Sequence, residues 1–435
     1  MTGAVVKGWC PGALRPMASG DGLIVRLRIS GGIVDTGLAA AIARWSRRWG
    51  SGRIDLSSRA NLQLRGLSAE TLPFLHDALA QRGLLDSDGA REALRNVISS
   101  PLAGIDPDTV LDTRPIVWRL EQRLVSDAAL RDLPAKFGFA IDDGGRLGLA
   151  GVPADVRFEA CRKDEGPAFV IGLAGAPNDR FGPCRPDTLA AVAAALGSAF
   201  LDLRKGFGAG IRRVGDLVAA LGGVRPLAHA AGLAPVDLPC IAGRASRPQD
   251  FLGVRPLRSA AFVGVGLPFG GIVAEEFARL ALLAAEQGAT ELRLTPWRAI
   301  LVPLPSLRAA RAVSIGLPAA SFILDPDDPR LRIAACPGAP WCAQGMASAR
   351  RDAALLAAAV TGASGSGVVL HVSGCEKGCA HPRPAPITLV GRNGRYDLVR
   401  NGVPSDMPEL RELSADQAGE RVRRIIAAHP HGGGG

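Results

Sequence analysis

Residues 22–29 alternate apolar and polar side chains, with Leu23, Val25, Leu27 and Ile29 on one face. This is the period-two pattern of a half-buried strand. Gly31-Gly32 turns the chain, and apolar positions then recur at helical spacing from Thr36 to Trp49, stopping at Gly50 where a C-cap belongs. Two more strands, 53–56 and 61–65, lead into a second helix over 69–81. In this order the elements build a ferredoxin-like α+β unit.

The pattern returns 239 residues later, counted from 31 to 270. Gly31-Gly32-Ile33-Val34 reappears as Gly270-Gly271-Ile272-Val273, followed by a helix over 274–287 and strands at 291–295 and 299–303. Leu94-Arg95 ahead of Ser99-Ser100-Pro101 is matched by Leu331-Arg332 ahead of Cys336-Pro337. A short period would mean a solenoid, whereas one long duplication predicts a two-fold pseudosymmetric molecule with a site where the halves meet. The segments read as a first ferredoxin-like half (15–85), a larger α+β domain (90–221) and a connector rich in Gly, Pro and Ala (222–258). A second ferredoxin-like half (259–318), a second α+β domain (322–428) and a tail expected to be disordered (429–435) follow. The most apolar runs, 188–201 and 353–360, fall short of the roughly 20 residues that span a bilayer and read as buried helices.

At 435 residues and 47% hydrophobic content, the chain can bury a large core. Net charge is +10, but the 51 Lys and Arg form no dense run, a single Tyr is present, and no basic-aromatic motif of an RNA-binding sheet occurs. That argues against nucleic acid; a polyanionic small substrate or mere coding bias accounts for the charge equally well. The first residues lack the charged start and apolar segment of a signal peptide, so the expected location is the cytoplasm, with no membrane partner. Neither 206–210 nor 264–270 gives a G-x-G-x-x-G loop between a strand and a helix, so electrons are expected from another protein.

Four of the eight cysteines, Cys336, Cys342, Cys375 and Cys379, lie close together as C-x5-C plus C-x3-C, while Cys10, Cys161, Cys184 and Cys240 are scattered singly. Four thiolates suit a [4Fe–4S] cluster, and the surrounding Gly and Pro let the backbone turn and bring N–H groups towards sulfur. Structural zinc is the rival reading, but its ligands usually come as tighter C-x2-4-C knuckles. Disulfides are disfavoured by the absence of a leader or a framework pattern.

These paired motifs resemble those of the sulfite and nitrite reductase family. The run Ser373-Gly374-Cys375-Glu376-Lys377-Gly378-Cys379-Ala380-His381-Pro382, with Gly8-Trp9-Cys10-Pro11-Gly12 and Pro16, is similar to the family's oxygen-using branch, which serves cobalamin biosynthesis. The resemblance covers roughly residues 8–425. It implies a duplicated α+β architecture in which two ferredoxin-like halves and two larger α+β halves enclose one active centre in pseudo-two-fold arrangement. It also implies a [4Fe–4S] cluster on the four grouped cysteines and, nearest Cys379, a second iron centre, either sirohaem or mononuclear non-haem iron. The implied reaction is hydroxylation of precorrin-3A at C20 by dioxygen with γ-lactone formation, fed by an external NAD(P)H-dependent reductase or ferredoxin. Sirohaem-dependent sulfite or nitrite reduction and a non-catalytic iron–sulfur electron carrier are the alternatives.

The resemblance assigns site residues as well. Arg59, in Ser57-Ser58-Arg59-Ala60-Asn61-Leu62-Gln63, is similar to an arginine that reaches into the anion pocket, and Arg95 to a second pocket arginine. Leu133 to Phe139 resembles a stretch that supplies two lysines two positions apart on a strand, but only Lys136 is kept and Gly138 stands in the second place. Losing that lysine removes a proton donor and opens space for a bulkier substrate. His371 and His381 flank the C-x3-C motif, where either could orient a sulfur ligand, contact a second metal, or serve the fold alone.

Overall fold

The computed structural model describes residues 11–208, 210–236, 245–363 and 367–428. Cys10, Cys240, the Gly8 to Cys10 part of the N-terminal motif and the tail 429–435 lie outside the described residues. The chain opens with β1 (Met17–Ser19), β2 (Gly22–Leu27), β3 (Ile33–Asp35), α1 (Thr36–Trp49), β4 (Arg53–Leu56), β5 (Leu62–Leu67) and α2 (Leu72–Ala80). A larger unit follows: α3 (Gly89–Leu94), β6 (Val97–Ser99), α4 (Arg114–Ser126), β7 (Phe139–Asp142), β8 (Val156–Lys163), β9 (Gly166–Leu173), β10 (Ala176–Cys184), α5 (Leu189–Arg204), α6 (Val214–Leu221) and α7 (Arg225–Ala230). The second passage holds α8 (Pro248–Phe251), β11 (Gly253–Pro256), β12 (Ala261–Gly266), β13 (Gly271–Val273), α9 (Ala274–Glu286), β14 (Glu291–Leu294), β15 (Ala299–Leu304) and α10 (Leu307–Ile315). It ends with β16 (Ile333–Ala335), α11 (Ala349–Leu355), β17 (Leu370–Ser373), β18 (Ala385–Arg392), β19 (Arg395–Gly402), β20 (Leu410–Leu413) and α12 (Ala415–Ala428).

The strands form four five-stranded sheets, two of each kind, so the α+β class and the duplication read from sequence are both present. The two larger units share one topology. In the first, β6, β7 and β8 are parallel and β8, β9 and β10 antiparallel; β16 to β20 repeat the same order. The ferredoxin-like sheets run β1-β2-β5-β4-β13 and β11-β12-β15-β14-β3, each completed by an edge strand from the other half.

That exchange was not anticipated from the sequence, where the Gly-Gly-Ile-Val segments read only as turns. Ile33, Val34 and Asp35 pair with Arg293, Leu292 and Glu291, and Gly271, Ile272 and Val273 pair with Asp55, Ile54 and Arg53. The glycines are needed because the backbones approach closely. A Cβ on Gly32 would meet the Leu294 carbonyl at 2.9 Å, and one on Gly270 the Leu56 carbonyl at 3.1 Å, at φ of +68° and +76°. Each crossing strand then feeds a helix. Asp35 caps α1 by accepting the Leu38 N–H at 2.7 Å.

The apolar faces of α1 and α9 pack along each other, and one continuous core joins Val25, Leu27, Ile42 and Leu64 to Val263, Phe277, Leu280 and Ile300. Burying each such side chain contributes about 1.5–3 kcal/mol. The connector contains α7, α8 and β11, so it is more than a link: β11 supplies the outer strand of the second ferredoxin-like sheet. Helix α2 begins at Leu72, later than the expected 69, because Ser68 and Thr71 bond each other in a turn and Thr71 Oγ1 donates to the Trp49 carbonyl at 2.7 Å. Among the described residues no helix is long and apolar enough to cross a membrane.

Close packing gives a direct test of this core. A Cβ on Gly264, in β12, would overlap the Phe251 carbonyl oxygen, and backbone cannot swing aside as a side chain can. Gly264→Ala is expected to lower stability by about 3 kcal/mol in chemical denaturation. Gly206→Ala, with nothing within 4 Å of its added carbon, should stay within about 0.5 kcal/mol of the parent.

Candidate functional site

Parallel strands β16 and β17 deliver two cysteine loops side by side. Cys336 follows β16 and Cys375 follows β17, so the pairing of Ala335 with Val372 places the two loop starts next to each other. The Gly374 N–H reaches the Cys336 sulfur at 3.1 Å. The first loop is folded tightly by Cys342 N–H to Gly338 O, Gly345 N–H to Cys342 O and Met346 N–H to Gly374 O, all at 2.7–2.8 Å. Gly338 sits at φ +68°, and a Cβ there would overlap the Ala349 nitrogen and lie 2.5 Å from the Ala347 carbonyl oxygen, so only glycine fits. Burial pushes the Cys336 thiol up, while N–H groups of Gly374 and Gly338 favour its thiolate.

Cys379 is exposed, and Cys336, Cys342 and Cys375 are half-buried free thiols. Among the described residues, no three Cys, His, Asp or Glu side chains converge on one point as a single metal ion requires. Four thiols on two adjoining glycine-turned loops, with a backbone donor on one sulfur, suit a cluster whose iron corners stand apart.

The first loop is clamped to the opposite end of the chain. Arg65, on β5, donates to the Trp341 carbonyl at 2.6 Å, to both Asp21 oxygens at 3.0 Å, to Ser19 at 3.0 Å and to Asp55 at 3.3 Å. Ser19 Oγ donates to the same carbonyl at 2.8 Å, and Arg350 of α11 binds Asp55 at 2.7 Å. Burial alone would raise the Asp55 carboxyl, but Arg350 and Arg65 outweigh it and hold it below the usual carboxylate range. The Arg53 guanidinium lies 3.6 Å over the Trp341 ring.

Just past the end of β4, Arg26, Arg28, Ser57, Ser58, Arg59, Asn96, Ala135 and Lys136 line a cavity of about 160 Å³. Two of the three expected basic residues meet there. Arg59 donates to Asn96 Oδ1 at 3.1 Å, and Asn96 donates to the Phe137 carbonyl at 2.8 Å. Arg95 does not line the cavity: its guanidinium is taken up by Asp86 at 2.5 Å and the Arg28 carbonyl at 3.1 Å. It positions Arg28 from behind. Lys136 stands in an exposed turn before β7, not on the expected strand. Arg26 and Arg28 were missed by sequence reading. Their alternation with Val25, Leu27 and Ile29 along one strand is the signal that points to them.

Gly138 has a different consequence from the open space expected of it. A Cβ there would overlap Arg59 Nη1 and lie 3.0 Å from Asn96 Nδ2, so the glycine makes room for the arginine head. His371 on β17 is fully buried, and neither ring nitrogen has a hydrogen-bond partner among the described residues. Its ring meets His381 edge-on at 5.8 Å, and burial, with His381 beside it, lowers its pKa to about 4. It is therefore a neutral imidazole, under the turn at Gly378.

The first α+β unit holds the same strand ends without thiols. One residue past Ser99 and two past its partner Ile141, the Asp143 N–H donates to Ser100 Oγ at 3.0 Å, in the place of Gly374 N–H and Cys336 Sγ. Asp143 is almost wholly buried and its Oδ2 has no partner among the described residues. Burial, then Asp142 and Asp106 nearby, push its pKa up to about 7, against N–H donation from Gly145.

Two family models match in succession: the nitrite/sulfite reductase ferredoxin-like half domain at residues 15–82 and the nitrite and sulphite reductase 4Fe-4S domain at 90–223. The second match covers the unit with Ser100 and Asp143; the four grouped cysteines lie beyond it. A precorrin-3B synthase of Sinorhizobium sp is 32% identical over 98% of this chain and 90% of its own length. The ferredoxin–nitrite reductase of Synechococcus elongatus is 28% identical over 88% of this chain and 78% of its own. The solved structure of Mycobacterium tuberculosis NirA, at 22% identity, overlays with a TM-score of 0.71 over 95% of this chain and 82% of that one, which shows a shared fold.

Two outcomes are expected. Replacing any one of Cys336, Cys342, Cys375 and Cys379 by Ser should remove most bound iron and acid-labile sulfide in anaerobic preparations, while Cys161→Ser leaves both in place. One equivalent of zinc without sulfide would overturn the assignment. Asp143 should also leave a pH signature. Its folded pKa of about 7 lies above the unfolded value near 4, so the folded state binds more protons between them and stability should fall as pH rises from about 4 to about 7. Asp143→Asn is expected to flatten that slope and to add on the order of 1–4 kcal/mol at pH 8, measured by denaturant titration across pH.

Proposed function

We propose, given that the chain belongs to the nitrite and sulphite reductase family, that it is an oxidoreductase of the precorrin-3B synthase type, hydroxylating precorrin-3A at C20 with γ-lactone formation in aerobic cobalamin biosynthesis. The reaction takes one atom of dioxygen into the product and the other into water, with two electrons and two protons supplied. Those electrons would come from an external reductase or ferredoxin. Cys336, Cys342, Cys375 and Cys379 would hold the cluster, with a second iron centre nearest Cys379. When bound, these groups supply single electrons and oxygen activation.

The observation that carries the reading is Gly138. Multi-electron reduction of a small oxyanion draws repeatedly on nearby proton donors, and the second pocket lysine of the reductases is missing here. Its room is filled by the Arg59 head, a group that binds carboxylates in a fork but gives up no proton near neutral pH. Arg26, Arg28, Arg59 and Lys136 would then orient one carboxylated edge of the substrate, while Asn96 fixes Arg59. The relative named as a precorrin-3B synthase, matched over 90% of its length, supports the same choice.

Reduction of nitrite or sulfite is a second reading, favoured by the cavity itself. At about 160 Å³ it is below the 300–1,000 Å³ typical of sites for drug-sized ligands, and it would enclose a small oxyanion. Isotope labelling separates the two. Given precorrin-3A, oxygen and an external reductase system, the chain is expected to place label from ¹⁸O₂ in the macrocycle, and NADH alone should drive little turnover. Unlabelled product under ¹⁸O₂, or rapid anaerobic reduction of nitrite or sulfite with a reduced dye, would overturn the oxygenase reading.

A further inference from the structure

Arg298 occupies the turn between β14 and β15 at φ +58°, a left-handed conformation that is costly for a long side chain. The neighbours enforce it. The Leu267 N–H donates to the Arg298 carbonyl at 2.9 Å; Thr295 Oγ1 donates to the Ala299 carbonyl at 2.8 Å and accepts the Trp297 N–H at 3.2 Å. Trp297 itself is stacked on Phe251 with ring centres 4.9 Å apart. Gly270 leaves room for the arginine stem, since a Cβ there would meet Arg298 Cδ at 2.9 Å.

The charge is as unusual as the backbone. Arg298 is half-buried, and among the described residues its guanidinium has no hydrogen bond or ion pair. Asp55, the carboxylate that acts on it, is already shared by Arg65 and Arg350, and Arg350 adds repulsion. A cation held on a strained backbone without a counter-ion gains the fold nothing, and strained residues of this kind cluster at ligand-binding sites.

The place fits such a ligand. Leu56 ends β4 just ahead of the Ser57 to Arg59 loop that lines the cationic cavity, and its carbonyl lies beside the same Gly270 that seats the Arg298 stem. Two basic loops, one from each half, thus flank one strand end. A polycarboxylate macrocycle is wider than a 160 Å³ cavity and requires cations at more than one edge.

We propose that Arg298 binds a carboxylate of the macrocyclic substrate from the second half of the molecule, while Arg26, Arg28, Arg59 and Lys136 hold a different edge. This rests on the tetrapyrrole reading above. The test uses the cluster-loaded full chain and uroporphyrin, an eight-carboxylate porphyrin, in equilibrium dialysis. Glycine adopts φ +58° without strain, so Arg298→Gly should keep the thermal midpoint at or above that of the parent, with iron and sulfide unchanged, while Kd rises at least tenfold. Arg298→Gln should weaken binding to the same degree. Parent-like affinity in both variants, with intact clusters, would overturn the Arg298 assignment and leave the tetrapyrrole reading standing. A lowered midpoint in Arg298→Gly with unchanged affinity would identify a structural residue and overturn it equally. If the parent binds no uroporphyrin, the tetrapyrrole reading itself fails, and the assignment with it.

Discussion

One buried carboxylate governs how the cysteine loops are placed. Asp55 accepts from Arg65 on its own sheet and from Arg350 on α11, and Arg65 carries the connection to the Trp341 carbonyl inside the first cysteine loop. None of these groups is stable alone in a low-dielectric interior; breaking such a pair by removing one partner typically costs about 3–5 kcal/mol. Together they fix residues near the two ends of the chain in one geometry. The cysteine loop is consequently set by the first ferredoxin-like sheet as much as by the strands that precede it. Gly20 keeps the contact possible, since a Cβ there would press on the Pro340 carbonyl at 2.5 Å.

The pseudosymmetric scaffold makes the divergence of its copies easy to see. Identical strand ends present Cys336 and Gly374 in one unit and Ser100 and Asp143 in the other, each joined by one backbone N–H. A hydroxyl keeps that hydrogen bond but is a poor ligand for soft iron–sulfur chemistry. The loops that follow β4 and β14 diverge as well. One presents Arg59 to a polar cavity, and the other packs Trp297 against Phe251 and holds Arg298 at a positive φ. Symmetry is retained in the backbone and lost in the chemistry.

Much of this was legible in the chain. Period-two and period-3.6 patterns are local, so β2, α1, β4 and their repeats could be read directly, and cysteine spacing marked the thiol-bearing loops. What sequence could not supply was pairing between distant segments. Ile33 to Asp35 look like the end of a turn until their partners at 291–293 are known. Arg95 matched a motif, yet its guanidinium is claimed by Asp86, a neighbour only in the fold. Arg26 and Arg28 were visible as alternating polar positions, but alternation says which face a side chain takes and not what shares that face. Lys136 fell in a turn because Pro134 and Gly138 interrupt the apolar run there.

The exchanged edge strands carry a further consequence, for the history of the chain. Tandem domains ordinarily stand or fall separately, so damage to one copy's chemistry often comes with damage to its own fold. Here each ferredoxin-like sheet is completed by its sister and the two share a core. A copy that has lost its ligands is still indispensable as scaffold, because its sister is incomplete without it. Such interlocking lets one half drift freely in its reactive residues while selection on the other half preserves them both.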